Sequence, residues 1–191
     1  MNTETTRSAP DTSQHDPIYA AIDIGSNSFH LIVARLEHGE IRPLHVLAEK
    51  VQLGKGLKNH QLADDAVARG LACLERFQQL LASVRPYKIR AVGTNALRQA
   101  HNREVFTEPA EAILGVSVDV IYGREEARLV YLGVAHTLSD DEHSRLVVDI
   151  GGGSTEFILG FLHAQMGDNI YLYNFEGLSD GQTAVSAKNE V

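Results

Sequence analysis

The chain has 191 residues, of which 43% are hydrophobic and 22% charged, the composition of an ordinary globular protein. The formal net charge of -8 argues against a general nucleic-acid or membrane-surface binder, because such polyanionic partners repel an acidic surface. A phosphate ligand is not excluded, since a few backbone N–H groups, cationic side chains and a metal ion can hold it locally.

Three further features bear on the location of the protein. Residues 1–17 are rich in Ser, Thr, Asp and Pro without an apolar stretch, so they are predicted to be a disordered leader. No later segment has enough consecutive apolar residues to span a bilayer. The single cysteine, Cys73, cannot form an internal disulfide. We therefore expect a cytoplasmic protein.

The first part of the chain after the leader is predicted to form three strands and a helix. Apolar and β-branched runs bounded by turn residues predict strands at Ile18 to Ile24, Phe29 to Leu36 and Leu44 to Leu53. The segment Ala63 to Val84 places apolar residues on one helical face, with Pro86 helping to end the helix.

Helices and strands then alternate. In chain order the prediction is a strand at Ile89 to Val92, a helix from Thr94, a helical stretch at Arg103 to Leu114, a strand at Val116 to Ile121 and a helix at Glu125 to Thr137. An antiparallel start followed by α/β crossovers predicts an α/β fold, a mixed sheet with helices on both faces. Residues 18–143 form this first domain.

An internal repeat begins at residue 144. The segments Ile22 to Ser28 and Val148 to Ser154 match at Asp, Ile, Gly and Ser, with an offset of 149 - 23 = 126 residues. A period this long, with a full α/β unit between the copies, indicates a duplicated domain. Residues 144–160 are therefore the start of a second domain, predicted to be a phosphate-binding hairpin.

Each copy contains an Asp at the end of an apolar strand, Asp23 or Asp149, followed by small residues. Such a turn lets the backbone approach an anion and offer it successive N–H groups, to which Ser28 and Ser154 can add hydroxyls. A divalent cation such as Mg²⁺, held by carboxylates, would offset the charge of the anion. Asp, Gly, Asn and Ser are also common in ordinary hairpin turns, but two matching copies favour a binding function.

Two helix starts supply further candidates. Arg98 lies about one turn into the helix that opens after Gly93 and Thr94, where an Arg can contact phosphate, although a solvated Arg is an alternative. Glu125 and Glu126 follow a predicted strand and could accept a proton from water, although acidic residues are also common in a first helical turn. The residue pattern alone does not separate these two carboxylates.

Four ordered segments together resemble the exopolyphosphatase and guanosine pentaphosphate phosphatase (Ppx/GppA) family. They are Ala21 to His30, Gly93 to Ala100, Gly123 to Arg128 and Val148 to Glu156. The resemblance spans about Tyr19 to Gly160; the Asp-x-Gly turns by themselves would indicate only the wider actin-like ATPase superfamily.

The resemblance implies two ribonuclease-H-like domains facing each other across a cleft, a homodimer, Mg²⁺ dependence and release of terminal phosphate from polyphosphate or guanosine pentaphosphate or tetraphosphate. It implies Glu126 as the base that activates water, and Asp149 with Asp23 as the metal-associated carboxylates. The implied phosphate-binding residues are Gly25, Ser26, Asn27, Ser28, Arg98, Gly151, Gly152, Gly153 and Ser154.

The last 31 residues, 161–191, do not continue the resemblance. They are expected to be a divergent or truncated tail, leaving the second copy of the domain only begun. Two alternatives to an active phosphatase follow, namely a non-catalytic fragment of such an enzyme and an actin-like or sugar-kinase-type ATP-binding protein.

Overall fold

The computed structural model describes residues 16–137 and 145–160. The strands are β1 (Ile18–Ile24), β2 (Phe29–Glu37), β3 (Glu40–Glu49), β4 (Leu57–Lys58), β5 (Gln61–Leu62), β6 (Lys88–Gly93), β7 (Val118–Val120), β8 (Arg145–Ile150) and β9 (Thr155–Gly160). The helices are α1 (Asp64–Val84), α2 (Asn95–Gln99), α3 (Glu104–Leu114) and α4 (Gly123–Ala135), with a 3-10 turn at Leu53–Gly56. None of these helices is long and apolar enough to cross a membrane.

The main sheet is mixed, with strand order β3-β2-β1-β6-β7. Strands β1, β2 and β3 are antiparallel because short turns join them, whereas β6 and β7 run parallel to β1 after helical crossovers. The carboxyl ends of β1, β6 and β7 therefore meet at one edge of the sheet. The turn after Ile24, the start of α2 after Gly93 and the start of α4 after Val120 lie together at that edge.

Helices α1 and α3 pack on one face of this sheet. Alternate residues of β1 and β2, such as Ile22 and Leu31, are fully buried there, and the Phe29 and Phe106 rings meet edge to face at 6.0 Å. The opposite face is exposed over β2 and β3, where Val46 is 67% exposed. The mixed sheet with helices is thus confirmed, and in the part of the chain that the structure describes its opposite face is exposed over β2 and β3.

A second, smaller core lies between α4 and the β8–β9 hairpin. Its buried residues are Ala127, Tyr131, Ala135 and Ile158. The other face of the hairpin exposes the apolar side chains Leu146, Val148, Ile150, Phe157 and Leu159. The predicted hairpin at the start of the second copy is therefore present and packs against the last described helix of the first.

The third strand is displaced from its prediction. It covers Glu40–Glu49 rather than Leu44 to Leu53, since Leu53 begins the 3-10 turn that packs under the first glycine turn. Pro43 fits into β3 because an edge strand tolerates a missing N–H, and the register with β2 shifts at that point. The β4–β5 hairpin was not predicted. The predicted leader, up to residue 15, and the predicted tail, 161–191, lie outside the described residues.

Gly70 of α1 sits where the helix touches α3, and we expect Gly70→Ala to destabilise the fold. A Cβ there would lie 2.6 Å from Phe106 Cε2 and 3.3 Å from Phe29 Cζ, both in fully buried rings. Overpacking of this kind costs about 1–3 kcal/mol, which exceeds the gain of about 0.5–1 kcal/mol from replacing a helical glycine. Urea denaturation measures the net loss.

Gly133 of α4 is the matched control, because a Cβ there meets nothing within 4 Å. Gly133→Ala is expected to stabilise the chain by about 0.5–1 kcal/mol through helix propensity alone. Equal effects of the two substitutions would show that contact with Phe106 is not what requires glycine at position 70.

Candidate active site

A cavity of about 250 Å³ lies between the two Asp-x-Gly turns, at the edge where the parallel strands end. Its lining includes the predicted turn residues Gly25, Ser26, Asn27, Ser28, Gly151, Gly152, Gly153 and Ser154, and the carboxylates Asp23, Glu126 and Asp149. Of the predicted site residues, Arg98 is outside this lining and lies behind Glu126. The structure therefore brings both copies of the repeat to one cavity.

The two turns lie close together, since a Cβ on Gly152 would lie 2.5 Å from Cβ of Asn27, and the start of α2 bonds to both of them. The Asn95 side chain donates a hydrogen bond from Nδ2 to the Gly153 carbonyl (2.9 Å), and the Ala96 N–H donates to Ser26 Oγ (3.1 Å). Two further backbone bonds fix the first turn, from Gln52 N–H to the Asn27 carbonyl and from Gly54 N–H to the Ser26 carbonyl, both 2.8 Å. The cavity is thus built on anchored backbone rather than on free loops.

Three carboxylates converge beside the cavity. Glu126, Asp149 and Glu156 each place one oxygen within 4.8 Å of the others. Glu156 is only 2% exposed, and its Oε2 has no hydrogen-bond partner. Buried carboxylates at this spacing repel one another unless protons or a cation offset their charge, so a hard divalent cation fits this set of oxygen donors.

Glu156 is a candidate that the sequence predictions missed. In the β8–β9 hairpin it lies directly opposite Asp149, so both side chains are on the same face. The available signal was the hairpin itself, because a turn centred on Gly152 and Gly153 pairs position 149 with position 156.

Asp23, predicted with Asp149 as metal-associated, does not belong to this group of three. Its Oδ2 lies 3.5 Å from Nδ1 of His30, the residue opposite it in the β1–β2 pair, whereas Oδ1 is buried without a hydrogen-bond partner. His30 and Glu156 occupy equivalent places in the two copies, since 156 - 30 equals the repeat offset of 126. One copy therefore pairs its Asp with an imidazole, and the other with a second carboxylate.

Glu126 is held in place by Arg98. Nη1 of Arg98 donates to Glu126 Oε2 (2.9 Å) and to the Ile121 carbonyl (2.8 Å), and both side chains are largely buried. Burial raises the pKa of Glu126, the hydrogen bond from Arg98 lowers it, and the nearby charges of Glu156 and Asp23 raise it, with a net increase. Glu126 is thus a fixed carboxylate with an enhanced affinity for a proton.

Glu125, the adjacent carboxylate, is in a different environment. It forms two hydrogen bonds of 2.7 Å with Arg128, one turn along α4, and this pairing lowers its pKa. Glu125 is not among the residues that line the cavity, whereas Glu126 is. The structure therefore separates the two carboxylates that the sequence pattern could not.

Known proteins similar to this chain identify its family. A sequence model described as the Ppx/GppA phosphatase family matches residues 32–166, more than half of the chain. The chain belongs to this family. The match extends six residues past Gly160, where the predicted resemblance stopped.

Relatives of this chain include two proteins named guanosine-5'-triphosphate,3'-diphosphate pyrophosphatase. The protein from Aliivibrio fischeri is 48% identical over 150 residues, which cover 78% of this chain and 30% of that relative. The protein from Vibrio campbellii is 49% identical over 145 residues, covering 75% of this chain and 29% of that relative. The chain thus spans about 30% of the length of the curated relatives it matches.

Solved structures of the Ppx/GppA family share the fold. An exopolyphosphatase from Cytophaga hutchinsonii aligns with a TM-score of 0.72 at 32% identity, covering 75% of this chain and 46% of that one. The Ppx/GppA enzyme of Aquifex aeolicus aligns with a TM-score of 0.68 at 34% identity, covering 76% and 48%. The predicted ribonuclease-H-like, actin-like ATPase fold is confirmed.

Proposed function

We propose that this chain carries the hydrolytic centre of a phosphohydrolase that releases terminal phosphate from inorganic polyphosphate or from a guanosine polyphosphate. The observation that carries the proposal is Glu126, fixed by Arg98 at a cavity formed by both glycine turns. Membership of the Ppx/GppA family and the names of similar proteins, pyrophosphatase and exopolyphosphatase, support the same reaction class.

The two glycine turns would hold the terminal phosphate. Successive N–H groups in turns that contain Gly151, Gly152 and Gly153 form a concave site for anions, and the hydroxyls of Ser26, Ser28 and Ser154 can donate as well. Phosphoryl transfer needs positioning and charge neutralisation more than covalent chemistry, so such a cradle accounts for much of what the protein must supply.

Glu126 would accept a proton from the attacking water. The water oxygen forms a bond to the terminal phosphorus, the bond from phosphorus to the bridging oxygen breaks, and the shortened phosphate chain leaves with the bonding electrons. A raised pKa makes Glu126 a stronger base than an exposed glutamate. Arg98 would orient it, because the bond to the Ile121 carbonyl fixes the guanidinium. A direct contact of Arg98 with phosphate stays a prediction.

The cofactor would be a divalent cation such as Mg²⁺. Asp149 and Glu156 would hold it, with Glu126 close by, whereas Asp23 is paired with His30 outside this group. The unpartnered Oε2 of Glu156 supports this assignment, because a buried carboxylate oxygen without a donor is otherwise costly. When bound, such a cation neutralises charge on phosphate oxygens.

The cellular location and the partners of the protein are part of the same proposal. A cytoplasmic location fits a chain whose single cysteine is free and buried, and the acidic net charge fits a protein that does not bind nucleic acid. The homodimer implied by the family resemblance is tested by light scattering of the purified chain.

The full 191-residue chain, incubated with Mg²⁺, tests the function with three substrates. Phosphate release from long-chain polyphosphate or guanosine pentaphosphate is the expected result. Turnover of ATP alone would instead support an actin-like or sugar-kinase-type ATP user. Release from none of the three, with ligand binding retained in equilibrium dialysis, would show a non-catalytic fragment.

A further inference from the structure

We propose that Asn95 is a positioning residue, whose side chain holds the second glycine turn in its phosphate-binding geometry. We call the hydrogen bond from Asn95 Nδ2 to the Gly153 carbonyl the Asn95–Gly153 bridge; it is 2.9 Å long and joins residues 58 positions apart in the chain. The phosphate-binding role of the turn rests on the proposed function, whereas the bridge itself is a matter of geometry.

The orientation of the Asn95 amide is fixed by the Gly153 carbonyl, because a carbonyl oxygen can only accept a hydrogen bond. Gln99 Nε2 donates to Asn95 Oδ1 at 3.0 Å, one helical turn along α2. Nδ2 is therefore the end that faces Gly153, and Oδ1 is the end that accepts from Gln99. Asn95 therefore links α2, which belongs to the first copy of the repeat, to the turn of the second copy.

The bridge sets the plane of one peptide group in the phosphate-binding turn. The Gly153 carbonyl and the Ser154 N–H belong to the same trans peptide, in which the two groups point in opposite directions. Fixing the carbonyl therefore fixes the direction of the Ser154 N–H. On its other side the turn is closed by a bond from the Gly151 N–H to the Ser154 carbonyl, 2.9 Å long.

The glycines of the second turn are needed for this close approach. A Cβ on Gly152 would lie 2.5 Å from Cβ of Asn27, and a Cβ on Gly153 would overlap Asn95 Nδ2 and lie 3.0 Å from Ser26 Oγ. Neither glycine has a positive φ, so contact with the first copy rather than backbone conformation requires the missing side chain. Any β-carbon here would push the two turns apart.

The decisive variants are Asn95→Asp and Asn95→Ala. Aspartate has the shape of asparagine and can still accept from Gln99, but it cannot donate to Gly153 and would place a carboxylate against a carbonyl oxygen. An acidic residue near a helix start is otherwise favourable, so a purely structural role in α2 predicts that Asn95→Asp is harmless. The bridge predicts that Asn95→Asp is more damaging than Asn95→Ala.

Two measurements on the full chain distinguish the proposed positioning role of Asn95 from a purely structural role in α2. Hydrogen exchange should become about 3- to 10-fold faster in the turn Gly151 to Ser154 for Asn95→Asp, with α1 unchanged, as expected for loss of one hydrogen bond. The KM for the substrate that is turned over should rise by a similar factor with kcat less affected. Exchange and KM at wild-type values for Asn95→Asp would overturn the proposal.

A double-mutant cycle supplies an independent check. Gly153→Ala should speed exchange in the turn, but less so in the Asn95→Ala background, where the nearest atom to the new methyl, Asn95 Nδ2, is gone and only the contacts with Ser26 are left. Gly151→Ala is the control, because its Cβ would contact only Ser154 of its own turn. Additive effects of Asn95→Ala and Gly153→Ala would contradict the bridge. If no variant or wild type turns over substrate, the proposed function fails, while hydrogen exchange still decides the bridge.

Discussion

Replacing Glu126 by Gln is expected to lower kcat for phosphate release by about 100- to 10,000-fold, the range associated with loss of a general base. Glutamine keeps the size of the side chain and can still accept from Arg98, so the cavity should keep its shape. Equilibrium dialysis should show ligand affinity changed by no more than a few fold. Initial rates of phosphate release at saturating substrate measure the effect.

Glu125→Gln is the matched control for this experiment. It removes one negative charge from the neighbouring residue. The carboxylate of Glu125 is paired with Arg128, however, and does not line the cavity. Its kcat should stay within about twofold of the wild type, since a half-exposed ion pair contributes little. Turnover by Glu126→Gln at the wild-type rate would remove Glu126 from the proposed role.

The second large effect concerns Glu156→Gln, for which we expect opposite changes with and without a divalent cation. Without one, the variant should be about 1–3 kcal/mol more stable than the wild type, because it removes a buried charge with an unpartnered oxygen. With Mg²⁺ at about 100 times its Kd, the wild type should gain about 2.7 kcal/mol and the variant much less. Urea denaturation at both conditions measures these differences.

Without metal, the difference in stability between Glu156→Gln and the wild type should depend on pH, and the sign of this dependence is defined. Burial raises the pKa of Glu156, so the folded chain holds this proton more tightly than the unfolded chain does. The contribution of protonated Glu156 to the free energy of unfolding is fully present below the ordinary glutamate pKa. It is lost as pH rises through the pKa that Glu156 has in the folded chain. Without metal, the advantage of Glu156→Gln should therefore be absent in acid and appear above that ordinary value.

Glu108→Gln serves as the control for Glu156→Gln, because Glu108 is an exposed residue of α3. It should change neither the stability without metal nor the gain on adding Mg²⁺. A gain from Mg²⁺ that is as large in Glu156→Gln as in the wild type would remove Glu156 from the proposed metal site.

Much of the fold follows from local sequence pattern. Helix α1 was predicted to within one residue because its apolar spacing is regular over five turns, and β1 ends where Gly25 follows a run of apolar residues. The third strand was displaced because β3 is an exposed edge, so its sequence lacks the alternation that burial imposes. The β4–β5 hairpin was missed because two-residue strands carry almost no periodic signal.

Part of the candidate site was likewise predictable from the sequence, and part was not. The turn residues that line the cavity were predicted because the same spacing of Asp, Gly and Ser occurs in both copies of the repeat. The family resemblance favoured Glu126 over Glu125, whereas the residue pattern could not, because neighbouring helical residues point about 100° apart and only packing determines which one faces the cavity. Glu156 and His30 were missed because their importance comes from lying across a strand pair from Asp149 and Asp23.

The cavity between the turns has a kinetic consequence. At about 250 Å³ it is smaller than the roughly 300–1,000 Å³ that encloses a drug-sized ligand, which fits the proposed binding of the end of a phosphate chain. Under that proposal, the part of the substrate beyond its terminal phosphates would lie outside the cavity. Polyphosphate and guanosine pentaphosphate would then undergo the same hydrolytic step at the same site. They would differ only in how the protein binds the rest of each molecule, beyond the terminal phosphates. Each should act as a simple competitive inhibitor of hydrolysis of the other.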